Sequence, residues 1–193
     1  KRYLGLKITD EELKQMKLRL NDQAKIEMER FSKMKSFAVP SQKDWRSSGH
    51  VTDVKNQGSC GSCVSFGTCA AIEAGARIKS QNSNLDIDLS EAFLQFCGGG
   101  SCSGWGLTGG LEYAEDVGVT DESCFPYQPQ NMPCNNRCSD WQSRLTKINK
   151  YSAHATMQAR KEAIANSGPV VAGMRVYDDF YAYSSGIYER TQG

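Results

Sequence analysis

A chain of 193 residues with a net charge of +1 carries no electrostatic footprint for nucleic acid or an anionic membrane, and no apolar run in it approaches a membrane span. The length allows a sizeable core in one large domain or two small ones. Charge is uneven: residues 1–37 hold ten Lys/Arg against six Asp/Glu, the remainder 13 against 16, so a basic leading segment precedes a mildly acidic body. Lys1 opens the chain with no signal-peptide pattern, which reads as a start removed upstream. Eight cysteines point to metal or redox sites in a reducing compartment, or to disulfides and a free thiol in an oxidising one.

Residues 9–36 are expected to form one amphipathic helix. Thr9 with Glu12 is a capping box. Leu13, Met16, Leu20, Ala24, Met28, Phe31 and Met34 then recur at three- and four-residue steps as one apolar stripe. Asn21-Asp22 weakens the middle and marks where the helix would split. Such a stripe needs a surface, so the helix is expected to dock on the body. "FAVPSQKDWR" (37–46) breaks the pattern at Pro40 and marks a boundary. Residues 63–78 are small and apolar on nearly every side, as in a buried central helix. Ser90 is placed to cap "EAFLQFC", which ends in the glycine run 98–100. Residues 107–117 make another helix, stopped by Gly118. Residues 122–140 are turn-rich and hold Cys124, Cys134 and Cys138. A last helix spans 156–166, and "GPVVAGMRVY" (168–177) reads as a buried strand. Helices first and strands late is an α+β order.

The stretch "QGSCGSCVSF" (57–66) admits three chemistries. Zinc needs four ligands, typically from two knuckles; Cys60-x-x-Cys63 is one, while Cys97/Cys102 and Cys134/Cys138 are spaced more loosely. A redox dithiol follows a strand and opens a helix in a βαβ unit, and that strand is missing. A reactive thiol beside a structural one fits best. At the first turn of a helix, the macrodipole and free backbone N–H groups favour thiolate. Cys63 holds that place, and Cys60, in the loop before it, is better placed for a disulfide. Gln57 lies one loop turn upstream, where its amide can donate to an oxyanion forming at a carbonyl attacked by Cys63. The plain alternative is a buried, inert cysteine; the Gly, Ser and Gln neighbours argue against burial.

"DWR" (44–46), "VKNQGSCGSCVSF" (54–66), "LSEAFLQFC" (89–97), "CSGW" (102–105), "CFPY" (124–127), "GPV" (168–170) and "YSSGIY" (183–188) resemble, in family order, the blocks of papain-like cysteine proteases. The resemblance spans residues 38–193 and implies a papain-like two-domain α+β fold. Residues 38–145 would be the mainly helical domain with the nucleophile, and 146–193 the start of the β-rich domain. Residues 1–37 would be the tail of an inhibitory pro-segment, whose "YLGLK" (3–7) lies along the substrate cleft in the non-productive direction. Cys63 would be the nucleophile of an endopeptidase working through an acyl-enzyme, with Gln57 and the Cys63 N–H as oxyanion donors. Cys60 would pair with Cys102 and Cys97 with Cys134. Cys124 and Cys138 suggest a local third bridge, and Cys69 is left as a buried small hydrophobe. Gly104 and Trp105 would hold the substrate backbone, and Leu107 and Gly173 would wall an apolar pocket.

The resemblance also implies protein or peptide substrates, the pro-segment as inhibitor, no metal or organic cofactor, and a secreted or lysosome/vacuole-like setting. Three departures stand out. Val64 replaces the family's usual Trp, Ser65 its common Ala, and Trp105 a second Gly, which questions how the substrate chain is hydrogen-bonded. The family's His and Asn follow the "SGIY" block; neither His50 nor His154 matches them, and both read as ordinary loop histidines. Residues following Gly193, in the same chain or a second one, are expected to supply them. The rival readings are a catalytically inactive papain-like binding or scaffold protein and an acyltransferase on the same fold.

Overall fold

A computed structural model of the chain describes residues 5–34 and 38–191. Tyr3 and Leu4 of the leading motif and residues 35–36 of the expected first helix lie outside the described residues.

Helix α1 runs Asp10–Ser32 behind the Thr9/Glu12 capping box. The Glu12 N–H donates to Thr9 Oγ1 at 3.2 Å, and the Thr9 N–H donates to Glu12 Oε2 at 2.7 Å. Asp10, Glu11 and Glu12 add negative charge at its positive end. Asn21-Asp22 does not split it: Asp22 lies on the solvent side, ion-paired to Lys25 at 2.9 Å. The buried stripe also differs from the expected one. Leu13, Met16, Leu20, Ala24 and Phe31 are half-buried, but the stripe passes through Glu27, which is 3% exposed, and leaves Met28 63% exposed. Met34 lies beyond the helix end and is also exposed.

Glu27 explains the shift. Its carboxylate accepts from the backbone N–H groups of Ala155 (3.1 Å) and Thr156 (2.7 Å) and from the Thr156 hydroxyl (2.8 Å). Thr156 is itself the N-cap of α4, Met157–Asn166. Arg30 of α1 pairs with Glu162 of α4. The leading helix is thus docked by a buried anion at the positive end of a body helix. Burial pulls the Glu27 carboxyl upward, but the hydrogen bonds from Thr156, Ala155 and Gln23 outweigh it and hold the group below its ordinary 4.5. A lowered folded-state pKa stabilises above the ordinary carboxylate value, and the gain is lost as pH falls through the folded value. Acid should therefore loosen α1. In Glu27→Gln the α1 amides should exchange faster than wild type at pH 7 and show a weaker response between pH 5 and 3. Wild-type exchange in the variant at pH 7 would contradict the anchor.

Helix α2, Cys63–Lys79, is the centre of the body, with Val64, Ser65, Thr68, Cys69, Glu73 and Ala74 buried. Helix α3, Leu107–Asp116, packs on it, and Gly118 at φ +105° takes the left-handed turn that ends α3. Ser90 caps as expected: its Oγ accepts from the Phe93 N–H at 2.9 Å and donates to the Phe125 carbonyl at 2.6 Å. The turns after it widen into a π-helix over Phe93–Cys97. Cys69, Leu89, Ala92, Phe93, Leu94, Ala114, Val119 and Phe125 form the core beneath these elements. Disulfides Cys60–Cys102, Cys97–Cys134 and Cys124–Cys138 staple the loops to it.

The strand expected at 168–177 is not formed. Among the described residues the β pairing consists of isolated bridges, and 168–177 takes part in none of them. Val170 and Met174 are exposed. A strand exists by pairing, and 168–177 pairs with no described segment; its β-branched run supplies propensity but no partner.

Candidate active site

The loop that leads into α2 is built from its backbone outward. The Gly61 N–H donates to the Cys102 carbonyl at 2.9 Å, alongside the Cys60–Cys102 disulfide. A Cβ on Gly61 would stand 2.8 Å from Cys102 O, so the two loops meet where only glycine fits. Ser62 then opens α2, and Cys63 is its first helical residue. Cys63 is an exposed free thiol, whereas Cys69, two turns on, is a buried one. Burial, with Glu91 and Glu73 nearby, pushes the Cys69 thiol well above its ordinary value, so it is inert.

Gln57 is held over the same loop: its Nε2 donates to the Cys60 carbonyl at 2.8 Å. Tyr127 fixes both sides of this arrangement. Its hydroxyl donates to the Gln57 carbonyl at 2.9 Å and lies 2.6 Å from Ser62 Oγ, while its ring stands edge-on to Phe66 at 4.9 Å. In the sequence Tyr127 stands out only as the end of a family block; an aromatic in a proline-marked turn between two cysteines was the available signal.

Two residues before Gln57, Lys55 anchors the loop in a cluster of carboxylates. Its Nζ lies 2.5 Å from Asp88, 2.8 Å from Glu91 and 3.3 Å from Glu73. Glu73 also accepts from the Thr52 hydroxyl at 2.6 Å and the Leu89 N–H at 2.8 Å. Lys55, Asn56, Phe66, Asp88, Glu91, Glu122 and Tyr127 line a cavity of about 310 Å³. Burial pushes the Glu122 carboxyl up to about 7, against the hydrogen bond from the Tyr127 N–H, with Glu91 adding to the rise.

Three of the four expected substrate-binding residues converge on the leading segment. Leu6 forms a parallel bridge with Trp105. The Trp105 N–H donates to Gly5 O at 2.7 Å, and the Lys7 N–H donates to Trp105 O at 2.9 Å. Gly5 is buried, and a Cβ there would collide with the Gly61 carbonyl and stand 3.0 Å from the Cys63 nitrogen. A Cβ on Gly104 would collide with Gly5 O, and one on Gly173 would lie 2.7 Å from Leu6 Cδ2. Residues 5–7 therefore run in a groove between the Cys63 loop and residues 104–105, with Leu6 against Gly173. Leu107 opens α3 half-buried. The Trp105 main chain makes both of these bonds to the leading segment.

The histidines lie elsewhere. His50 Nδ1 is 2.9 Å from Ser48 Oγ with its ring edge-on to Trp45, and His154 Nε2 is 3.3 Å from Ser152 Oγ. Among the described residues no histidine hydrogen-bonds Cys63, and no group of three or more His, Cys, Asp or Glu is arranged to hold a metal ion. No helix among them is long and apolar enough to cross a membrane.

An exposed thiol opening a buried helix, in a helix-rich body stapled by three disulfides, is the architecture of papain-like cysteine proteases. Residues 39–193 match the papain family cysteine proteases, and the chain belongs to that family. It is 34% identical over 157 residues to a cathepsin L-like proteinase of Fasciola hepatica, covering 79% of this chain and 47% of that protein. It is 33% identical over 159 residues to cathepsin S of Bos taurus, covering 78% and 46%. The chain thus spans about half the length of the curated relatives it matches. Among solved structures, the digestive procathepsin L2 proteinase from Tenebrio molitor larval midgut superimposes with a TM-score of 0.73 at 28% identity, over 84% of this chain and 52% of that one. The proform of the Amb a 11 cysteine protease, a major ragweed pollen allergen, does so with a TM-score of 0.57 at 27% identity, over 68% and 40%. The papain-like α+β fold class expected from the sequence stands, with its helical part well formed and few bridges of β structure among the described residues.

Thiol labelling checks the cysteine assignment. Iodoacetamide should modify Cys63 alone in the native, non-reduced protein and Cys69 only after unfolding, with the other six in bridges. A Cys60–Cys63 bridge, or native labelling of Cys69, would overturn it.

Proposed function

We propose that this chain is the leading part of a papain-family cysteine endopeptidase in its inhibited form, with residues 1–37 as pro-segment, 38–145 as the helical domain and 146–193 as the opening of the β-rich domain. The observation that carries it is the exposed Cys63 thiol at the start of α2, with residues 5–7 lying in the groove beside it. In the reaction, Cys63 Sγ adds to the peptide carbonyl carbon. The carbonyl oxygen gains negative charge and accepts from the Cys63 N–H and the Gln57 amide. The C–N bond then breaks, and the departing amine takes a proton from an imidazolium. Water adds to the thioester, the same imidazole receives its proton, and the thiolate leaves. That histidine, and the asparagine behind it, would come from polypeptide following residue 193. Three disulfides support an oxidising setting, extracellular or lysosome/vacuole-like.

Leu6 against Gly173 supports a pocket for a large apolar side chain two residues before the cut, and a library preferring Arg or Asp there would count against it. In the unprocessed full-length protein, Leu6→Asp should raise turnover of a small fluorogenic peptide by at least about tenfold, because an unpaired carboxylate resists burial in that slot. Unchanged turnover would remove the inhibitory role from residues 5–7. The second reading is an inactive papain-like binding protein, and full-length protein with no peptide turnover would select it.

A further inference from the structure

The loop that faces the leading segment is intrinsically loose. Residues 98–106 include Gly98, Gly99, Gly100, Gly104 and Gly106, and glycine loses more backbone freedom on ordering than any other residue. Its middle is tied by the Cys60–Cys102 disulfide, by the Cys102 N–H donating to Asn131 Oδ1 at 2.7 Å, and by Gln95 Nε2 donating to Ser101 O at 2.8 Å. The end that carries the two main-chain contacts has another anchor, the Trp105 side chain. A Cβ on Gly98 would collide with the indole, with Cζ2 only 3.0 Å away, and with the Leu94 carbonyl oxygen at 2.5 Å. One on Gly109 would lie 2.7 Å from Nε1 and 2.9 Å from Cε2, and one on Gly110 would touch Cζ3 at 3.6 Å. The ring therefore fills a slot between the end of the π-helix and the first turn of α3.

Backbone geometry accounts for only one of these glycines. Gly98 has φ −80° and ψ −8°, but a Cβ there would also stand 2.5 Å from the Leu94 carbonyl oxygen, whereas Gly109 sits inside α3 without a positive φ. Two adjacent glycines in a ten-residue helix weaken its propensity relative to alanine. Gly110 lies close to Val64 and Thr68 of α2, which accounts for it. Gly109 meets only the indole among its three nearest neighbours.

We infer that Trp105 is a positioning residue for extended peptide chains: the glycine slot locks its indole, which aims its N–H and C=O at the chain that occupies the groove. This rests on the cysteine-protease reading for its catalytic consequence, though the slot and the Gly5–Lys7 pairing do not depend on it. Substrate recognition would be coupled to Gly98 and Gly109, which touch no substrate.

The test uses the full-length protein as wild type, Gly109→Ala, Gly98→Ala, Trp105→Ala and the Trp105→Ala/Gly109→Ala pair. Two quantities are read: hydrogen exchange at the Lys7 amide in the unprocessed form, and KM and kcat for a small peptide in the processed form. Displacing the indole should cost about one main-chain hydrogen bond. Lys7 exchange should then rise about tenfold in either glycine variant, and KM should rise similarly with kcat within about twofold. In the Trp105→Ala background, Gly109→Ala should add nothing. A merely structural glycine predicts the opposite, since alanine at position 109 improves helix propensity and should leave Lys7 unchanged. Unchanged Lys7 exchange in both glycine variants, or effects that simply add in the double variant, would overturn the inference. If the wild type turns over no peptide, the protease reading fails, and Lys7 exchange still decides the role of Trp105. A variant that melts before assay is replaced by the other glycine variant, in which the Lys7 amide reports on the same slot.

Discussion

Replacing Cys63 by alanine in the full-length protein should abolish peptide hydrolysis, a loss on the order of 10⁴-fold or more. Replacing Cys69 by alanine should leave kcat nearly unchanged. The two free thiols lie on one helix yet differ in every property that nucleophilic chemistry requires. Cys63 is exposed in the first turn of α2, open to an approaching carbonyl. Cys69 is fully buried, with Glu73 and Glu91 nearby raising the cost of ionisation. The side chain lost in Cys69→Ala is small, so stability should fall by only about 1 kcal/mol. Hydrolysis that survives Cys63→Ala would require a different nucleophile.

Replacing Lys55 by methionine should cost about 3–5 kcal/mol of stability, the range for removing one partner of a buried ion pair. Glu73 and Glu91 have side chains only 1% and 3% exposed, and Lys55 is the cation between them. Its own ammonium is held well above the ordinary value; burial opposes this, but hydrogen bonds to Asp88 and Glu91 win. The penalty should depend on pH. Burial already raises the Glu91 carboxyl, and without Lys55 it rises further. A raised carboxylate costs stability as pH climbs from the unfolded value through the folded one. The variant should thus lose less at pH 5 than at pH 8. Thermal melts across that range check it, and a pH-independent loss below about 1 kcal/mol would show that the cluster is solvent-screened. Because Lys55 sits two residues before Gln57, melting of this cluster should also free the loop that carries Gln57.

Local features of the chain were legible from sequence. The Thr9/Glu12 box, Ser90, Gly118 and the limits of α2 and α3 all follow from residues within one turn of each other. Cys60–Cys102 and Cys97–Cys134 were legible only through the family resemblance, whereas Cys124–Cys138 was suggested by the closeness of the two residues. What was hidden depends on distant partners. Glu27 fell outside the expected stripe because three of its four donors, at Ala155 and Thr156, lie more than a hundred residues away. That displaced the expected stripe by one residue, onto Met28. The strand at 168–177 was misread because β-propensity records side-chain shape, whereas strand formation needs a neighbour. Trp105 in place of a second glycine raised the question of how a substrate chain is hydrogen-bonded, and the sequence does not show where its ring goes. The slot that accepts its ring is formed by Gly98 and Gly109, glycines that a sequence pattern reads as turn or helix weakness.

The most direct measurement is active-site titration of the full-length protein with a peptidyl epoxide, followed by mass mapping of the adduct. One equivalent should bind per chain, all of it on Cys63, with peptide turnover falling in proportion to labelling. Turnover that persists after Cys63 is fully modified, or full-length protein that turns over no peptide with Cys63 intact, would contradict a protease built on this thiol.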